Sequence, residues 1–378
     1  MVKLYGREYT REELLDRVDD MSQVGGVRMS RLQHGPEDGV LVVDFNTGSG
    51  LRFTVVPSRG MDISATEYGG QSLCPRATAR EMHPAFFELG TQGWRRGFME
   101  GMLTTCGPIY HTKPPAPGEL RTIKHGRATW TPARSVACDE AWAGDRYLMW
   151  ATGKMREGAL VWERTVRTEL GATSFTVHDR VENQGRQPIG HRFQYHINAG
   201  FPVVDEGAEF TSTSLGLWNR RGQAVDPAFR TVEAPSYDNQ GGAHDELMCA
   251  DENGYAYAVM CNRTFREGQG LGYYIKYGIE TLPFFVLWKS AFPDRYVMGT
   301  EPTSHMTVDP QTMDPDRLAQ LQPLAGGAVR DYEIEIGVLP DNQAIDAMVA
   351  HMGELVADYC AHPTDTRIGN THTGRHGY

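Results

Sequence analysis

Short runs of apolar and β-branched residues, separated by turn-forming residues, recur along most of this chain. Residues 41–45 and 51–56 are the first clear pair, and residues 46–50 between them have the composition of a hairpin turn. Many strands without helices between them are typical of a sandwich or a barrel, so the pattern predicts an all-β fold. Further runs of this kind occupy residues 128–137, 147–154, 160–170, 174–182, 255–262, 272–277, 284–288, 296–299 and 329–339.

Helical periodicity is confined to the two ends of the chain. Residues 8–21 carry apolar residues at helical spacing, and Thr10 with Glu13 forms the capping-box pattern that begins a helix. This helix is predicted within an N-terminal extension, residues 1–24. A second helix is predicted over residues 341–360, where helical spacing returns.

No segment has the composition of a linker between domains. The proline-rich residues 113–118 are too short for one and predict a rigid loop. The chain has 378 residues, which exceeds the roughly 100–200 residues of an ordinary domain, but one large all-β domain can reach this size. The sequence therefore predicts a single domain over residues 1–378 with a C-terminal tail, residues 361–378, of which residues 364–378 are predicted to be a loose tail or an oligomer contact.

Net charge, apolar runs and cysteine spacing limit the kinds of partner and the cellular compartment expected for this protein. The formal net charge is −11 at pH 7, so no basic excess is present to neutralise phosphates, and neither nucleic acid nor an anionic membrane is expected as a partner. No apolar run approaches the roughly 18 residues that span a bilayer, and charges interrupt the first residues, unlike a signal peptide. The 6 cysteines are scattered without a C-x-x-C pair, which indicates reduced thiols in a cytoplasmic protein.

Five stretches concentrate polar, titratable and glycine residues. Arginine, tryptophan and close backbone approach at glycine suit the hydroxyls and apolar face of a sugar. Each stretch also has a structural interpretation, such as a turn with a surface ion pair, a buried histidine or an exposed glutamate, and both interpretations remain open for each stretch alone. The stretches are residues 57–63 with Arg59 and Asp62, residues 93–107 with Trp94 and Arg96, His111 followed by His125, residues 191–202, and residues 287–302 with Trp288, Lys289 and Glu301.

The strand predicted within residues 191–202 gives the strongest single signal. Alternate residues of a strand share a face, so Gln194, His196 and Asn198 are predicted on one side and the residues between them on the other. A polar row that ends in Gly-Phe-Pro is unusual for a core and natural for a concave binding face. Glu301 is predicted to end another apolar strand, where partial burial would raise its pKa as a general base requires.

Taken in order, six motifs in these stretches resemble the galactose mutarotase-like superfamily, specifically its divergent bacterial branch of aldose 1-epimerase-family proteins. The resemblance spans about residues 25–339 and implies a large antiparallel β-sandwich, a supersandwich, with a sugar on its open concave face. The motifs are Pro57-x-Arg59-Gly60-Met61-Asp62, Trp94-x-Arg96-Gly97-Phe98, Leu103-Thr104-Thr105-Cys106-Gly107, His125-Gly126-Arg127, Tyr195-His196-Ile197-Asn198-x-Gly200-x-Pro202 and Gly299-x-Glu301-Pro302.

The resemblance also implies roles for individual residues. His196 matches the acid of the mutarotases, Glu301 the base and His125 the other active-site histidine, and Arg96 matches a sugar-contacting arginine. No cofactor is implied. The remaining candidates for contact with the sugar are Arg59, Asp62, Tyr195, Asn198, Trp288, Lys289 and His111.

The expected chemistry is acid–base opening of a sugar ring. A cyclic sugar opens when its anomeric hydroxyl loses a proton while the ring oxygen gains one, and a carboxylate and an imidazole on opposite sides of the ring are expected to make both transfers. The ring then closes on the other face of C1. The sequence has no evident phosphate cradle, so a neutral sugar or a sugar acid is expected as the substrate.

Two alternatives stay open. His111 and His191 depart from the mutarotase pattern, and together with His125, His196 or Glu301 they could bind a divalent metal. A metal would favour a sugar isomerase, epimerase or lyase on the same fold. The other alternative is a non-catalytic carbohydrate-binding or sensing protein. The acidic surface and the two terminal helices permit a homodimer.

Overall fold

The structure, a computed structural model, describes residues 1–110, 125–305 and 323–370. Two large antiparallel sheets dominate these residues, and a small hairpin precedes them. The strands are β1 Val2–Leu4, β2 Arg7–Tyr9, β3 Gly26–Arg31, β4 Leu41–Asn46, β5 Leu51–Val56, β6 Asp62–Tyr68, β7 Gln71–Ser72, β8 Leu103–Cys106, β9 Ser135–Ala143, β10 Arg146–Glu157, β11 Leu160–Glu169, β12 Ser174–Asn183, β13 Gln194–Ala199, β14 Glu209–Ser212, β15 Ser214–Trp218, β16 Gly242–Met248, β17 Tyr255–Asn262, β18 Leu271–Gly278, β19 Phe284–Phe292, β20 Arg295–Thr303 and β21 Val329–Leu339.

Helices are few and short in the described residues, apart from one at the C-terminal end. The α-helices are α1 Arg11–Leu15, α2 Gly90–Arg96, α3 Phe265–Gly268 and α4 Asn342–Ala361. The 3₁₀-helices are Met21–Gln23, Gly35–Glu37, Pro57–Arg59, Pro84–Phe86, Ala128–Trp130, Pro227–Arg230 and Asp365–Arg367. None of the helices in the described ranges is long and apolar enough to cross a membrane.

The two large sheets differ in size. One has eight strands in the order β14-β17-β18-β21-β12-β11-β10-β9. The other has eleven, in the order β15-β16-β19-β20-β13-β8-β6-β5-β4-β3, with β7 paired to β6 beside this path. Every ladder between neighbouring strands is antiparallel, which confirms the predicted antiparallel β-sandwich.

The main hydrophobic core lies between these sheets. Phe53 of β5 meets Phe175 of β12 with ring centroids 4.3 Å apart, and Trp162 of β11 meets Phe193 at 6.0 Å. Because side chains alternate along a strand, the residues between these core positions point away from the core. On the eleven-stranded sheet, the side chains that point away from the core form an outer face on which a site can lie.

A fully buried ion network joins the sheets through the core. Arg164 of β11 donates to Asp179 of β12 at 2.8 Å and to Asp62 of β6, in the opposite sheet, at 3.1 Å. Thr105 of β8 donates its backbone N–H and hydroxyl to Asp62, and Tyr195 of β13 donates its hydroxyl to Asp179 at 2.7 Å. These bonds offset the cost of burying three charges.

Of the two predicted terminal helices, the first is shorter than predicted and the second agrees closely with its predicted bounds. The capping box at Thr10 and Glu13 is confirmed, but α1 ends at Leu15, so the helix predicted over residues 8–21 was too long. Leu15 is 47% exposed, and only one face of this segment reaches the core. The C-terminal helix is confirmed within one residue of its predicted bounds, and it packs on the outer face of the eight-stranded sheet.

Other differences from the predicted elements have local causes. The run at 128–137 starts as a 3₁₀-helix, Ala128–Trp130, and its strand begins only at Ser135. The predicted loose tail is wrong for its first part, because Ile368 bridges to Cys249 and the Gly369 N–H donates to Met248. Residues 371–378 and the proline-rich residues 113–118 lie outside the described residues.

Candidate active site

Three neighbouring strands place an imidazole, a carboxylate and an indole together on the outer face of the eleven-stranded sheet. His196 of β13 lies with Nε2 3.3 Å from Oε1 of Glu301 on β20. The edge of the Trp288 ring, on β19, lies against the His196 ring at 5.5 Å between centroids. Glu301 is 2% exposed and sits inside β20, so the prediction that it ends a strand was wrong.

The predicted alternation of β13 is confirmed. Tyr195, Ile197 and Ala199 belong to the core between the sheets, and His196 faces the outer side with Gln194. Asn198 shares this outer row, but its amide donates to the carbonyl oxygens of Gly101 and His196, both at 3.0 Å. In this structure Asn198 therefore holds the backbone beneath the site.

Gly299 forms the floor between Trp288 and Glu301. It is paired with Trp288 across the β19–β20 ladder and lies two residues before Glu301, so all three positions face the same side. A Cβ atom at Gly299 would lie 2.5 Å from Glu301 Oε1 and 3.0 Å from the Trp288 ring. The missing side chain is therefore what lets the carboxylate and the indole lie next to each other on this face.

His125 approaches from the end of β8. Its ring stacks on Trp94 of α2 at 4.0 Å, its Nδ1 lies 3.5 Å from the Cys106 sulfur, and its centroid is 6.5 Å from that of His196. Gly126 makes this approach possible, because it has φ 69° and a Cβ there would lie 2.2 Å from the Gly107 carbonyl oxygen. The structure thus brings together the three residues predicted to be catalytic.

Gln194 and Arg192 form a hydrogen-bonded row that orients the carboxylate; the sequence analysis placed Gln194 on this face but selected neither residue as a site residue. Gln194 donates from Nε2 to Glu301 Oε2 and accepts at Oε1 from Arg192 Nη2 at 2.6 Å. Arg192 is 2% exposed, and burial lowers the pKa of its guanidinium. The signal was present, since Arg192 and Gln194 share the alternate register of His196.

Asp245 of β16 is a second carboxylate on this face that was missed. It pairs with Val286 across one ladder, and Val286 pairs with Glu301 across the next, so the three share a face. Asp245 is buried. Its strand was not predicted, so no sequence signal placed it near Glu301.

Arg295 also contacts Trp288. The Arg295 guanidinium lies over the Trp288 ring at 5.2 Å from its centroid. Burial raises the pKa of the Glu100 carboxyl, and the positive charge of Arg295 opposes this shift. The indole is therefore in contact with both the His196 ring and the Arg295 guanidinium.

Three predicted sugar contacts lie inside the protein instead. Asp62 and Tyr195 belong to the buried network around Arg164, between the sheets, where a sugar on the outer face cannot reach them. Arg59 is also fully buried and donates to the carbonyl oxygens of Thr129, Met82 and Gly97. The predicted Arg59–Asp62 pair lining a pocket was therefore wrong.

Arg96, Lys289 and His111 also differ from expectation. The Arg96 side chain is 61% exposed and pairs with Glu88, while its helix presents Trp94 to His125. Lys289 alternates with Trp288 on β19 and donates to Glu233 and the Thr231 carbonyl, away from the indole. His111 lies outside the described residues.

His191 is a core residue and does not join the site. Its Nδ1 donates to the Pro108 carbonyl at 2.8 Å, so in the neutral ring Nε2 accepts from the Tyr332 hydroxyl at 2.9 Å. Burial lowers the pKa of His191 to about 3. Both nitrogens are engaged, which removes His191 from the predicted metal ligands. In the described ranges no three His, Cys, Asp or Glu residues are grouped as metal ligands.

Comparison with known proteins identifies the fold. A family model described as a domain of unknown function, DUF4432, matches residues 37–338. A search of curated proteins finds no match. Among solved structures, a putative aldose 1-epimerase from Klebsiella pneumoniae is similar with a TM-score of 0.78 and 24% identity, over 89% of this chain and 91% of that one.

Two further structures are more distant in sequence. A galactose mutarotase-like protein from Clostridium acetobutylicum has a TM-score of 0.56 and 11% identity, over 84% of this chain and 99% of that one. Galactose 1-epimerase from Lactobacillus acidophilus has a TM-score of 0.55 and 11% identity, over 84% and 100%. The fold is thus the galactose mutarotase-like β-sandwich, as the resemblance implied.

Proposed function

We propose that this protein, which belongs to the DUF4432 family, is a mutarotase-like enzyme that opens and closes the ring of a free monosaccharide by acid–base catalysis. Glu301 is the base and His196 the acid. His125 and Trp288 line the same depression and hold the sugar. The fold it shares with galactose 1-epimerase from Lactobacillus acidophilus supports the reaction class by analogy only.

The observation that carries the proposal is the 3.3 Å separation of His196 Nε2 and Glu301 Oε1. Ring opening removes a proton from the anomeric hydroxyl and gives one to the ring oxygen, and both oxygens are bonded to the same carbon. An acid and a base that lie this close together can serve both oxygens of one anomeric carbon.

The proton transfers balance over one cycle. Glu301 takes the proton of the anomeric hydroxyl while His196 protonates the ring oxygen, and the bond between C1 and the ring oxygen breaks to leave an aldehyde. Rotation about the C1–C2 bond presents the other face of the aldehyde. His196 then takes back the proton of the attacking hydroxyl, Glu301 returns its proton to the carbonyl oxygen, and the opposite anomer forms.

The flanking rings suit a sugar. Trp288 offers an apolar surface against the C–H face of a pyranose, and its position beside His196 would hold C1 near the acid. His125 is held on Trp94 at the opposite edge, 6.5 Å from His196, within reach of a ring hydroxyl. The site needs no group besides these side chains to complete the proton transfers.

The direct test is Glu301→Gln, assayed by NMR or polarimetry on freshly dissolved α-anomers of several aldoses. We expect mutarotation to fall by about 10²–10⁴-fold, because the amide cannot accept the proton. His196→Asn should show a loss of the same order. The matched control is Glu163→Gln, an exposed carboxylate on the outer face of the eight-stranded sheet that pairs with Lys154 at 3.5 Å, and it should retain full activity.

Two results would contradict the proposal. One is a wild-type protein that accelerates mutarotation of no sugar in a broad panel. The other is a Glu301→Gln variant as active as the control. Sugar binding without turnover, weakened by both site variants, would instead identify a carbohydrate-binding or sensing protein.

A further inference from the structure

Arg192 is the buried cation that the proposed reaction does not use. It lies two positions before Gln194 and four before His196, so its side chain belongs to the outer-facing row. The Arg192 backbone N–H donates to the Pro108 carbonyl, which continues the pairing of β13 with the chain after β8. The guanidinium therefore lies beside the carboxylate site, one glutamine away from Glu301.

The hydrogen bonds of Arg192 are incomplete in the part of the chain that the structure describes. Its guanidinium makes one hydrogen bond there, from Nη2 to the neutral amide oxygen of Gln194 at 2.6 Å. Its Nε is buried without a partner among those residues. An unpaired polar group in a buried position costs free energy, and the cost is larger for a charged one.

Two other buried arginines show how this protein satisfies such a group. Arg164 donates to both Asp62 and Asp179, and Arg59 donates to three backbone carbonyl oxygens. Both are enclosed within the protein, and each of their guanidinium nitrogens donates to an acceptor. Arg192 is as buried as they are, but it faces the site and its bonds are incomplete among residues 1–110, 125–305 and 323–370, so a molecule that enters the site can supply the missing acceptor.

The charges near Arg192 select the type of acceptor. Burial lowers the pKa of Arg192; Cys106 and Glu301 oppose this shift, and a second cation, Arg220, adds to it. Glu301 reaches Arg192 only through the Gln194 amide and gives it no direct hydrogen bond. A guanidinium presents a planar fork of donors that matches a carboxylate better than a single hydroxyl.

We propose that Arg192 binds a carboxylate of the substrate, so that the substrate of this site is a sugar acid. The proposal rests on the proposed function and specifies its substrate class. With Glu301 and His196 at the anomeric centre, Arg192 holds the acidic group beside it. The neutral sugar of the same stereochemistry lacks this contact and leaves Arg192 incompletely bonded, which penalises its binding.

Matched pairs of sugars make the test. D-glucuronate with D-glucose, and D-galacturonate with D-galactose, differ only at C6. We expect kcat/KM for mutarotation to be about tenfold or more higher for the acid of at least one pair, since a charge-assisted hydrogen bond is gained. A sugar acid with the carboxylate on the anomeric carbon serves as a third probe, because it places the carboxylate next to the reacting centre.

Arg192→Met and Gln194→Leu separate charge recognition from support of Glu301. Arg192→Met should lower the ratio of kcat/KM between acid and neutral sugar by about tenfold or more, mainly through KM. Gln194→Leu removes the link to Glu301 but keeps the cation. It should therefore slow both sugars alike and leave their ratio unchanged.

Binding is measured separately by quenching of tryptophan fluorescence, since Trp94 and Trp288 contact the site histidines. If no sugar turns over but a sugar acid binds and Arg192→Met abolishes the binding, the substrate class stands and the proposed reaction fails. Equal kcat/KM for acid and neutral sugars in the wild type would overturn the role of Arg192. An equal loss for both sugars in Arg192→Met would do the same.

Discussion

Two buried charge systems of this protein lie on opposite sides of the eleven-stranded sheet. Arg164, Asp62 and Asp179 sit between the sheets, and every one of them bonds to a charged or hydroxyl partner. His196, Glu301 and Arg192 sit on the outer face, where a guanidinium nitrogen of Arg192 lacks a partner among the described residues. A completed network stabilises the fold, whereas an incomplete one is available for a ligand.

The largest expected effect breaks the inner network. Arg164→Met removes the cation that bridges two buried carboxylates, so we expect the free energy of unfolding to fall by about 3–5 kcal/mol. Chemical denaturation measures this directly. Arg192→Met, at an equally buried arginine on the outer face, is the matched variant and should cost clearly less, because its only described partner is neutral. Similar losses in the two variants would mean that both systems are structural.

The sequence predicted the strands of the sheets better than it predicted which polar side chains lie in the core and which lie at the site. Strand runs and alternation follow from local apolar pattern, so β5, β17 and β21 and the facing of His196 were predicted correctly. Motif membership did not separate the two faces, because Asp62 and Glu301 both look like polar residues near strands. Their difference depends on which sheet face each residue occupies, and that depends on long-range pairing.

Asp245 and Arg192 are residues of the site that the sequence analysis missed for the same reason. Asp245 reaches the site only because β16 pairs with β19 and β19 pairs with β20, over 40 residues away in sequence. Arg192 was visible in the predicted strand, but its meaning depends on a hydrogen bond that no sequence pattern shows. Arg59, Asp62 and Tyr195 looked functional because charged and aromatic residues serve cores and sites alike.

A smaller effect compares two adjacent residues of β13. Tyr195→Phe removes the hydroxyl that donates to Asp179, while Arg164 still pairs with that carboxylate, so we expect a loss of about 1–1.5 kcal/mol in stability and unchanged kcat. Gln194→Leu should lower kcat by about tenfold, because Glu301 loses the donor that orients it. It should also lower stability, because Arg192 loses the one hydrogen bond that it makes among the described residues. Equal effects of both variants on kcat would contradict the separation of the two faces.

The smallest effect expected near neutral pH compares His191 with His196. The pKa of His191 is lowered to about 3 by burial, whereas in the unfolded chain it is ordinary, about 6.5. Between these values the unfolded state binds a proton that the folded state does not, so the contribution of His191 to stability is complete above about pH 6.5 and falls as the pH is lowered, by at most about 1.4 kcal/mol per unit.

His191→Asn keeps a donor for the Pro108 carbonyl and removes the titration. It should flatten the dependence of unfolding free energy on pH between 6.5 and 3 while leaving the pH–rate profile unchanged. His196→Asn should remove the activity. A wild-type slope that persists in His191→Asn would show that other groups cause the loss of stability in acid.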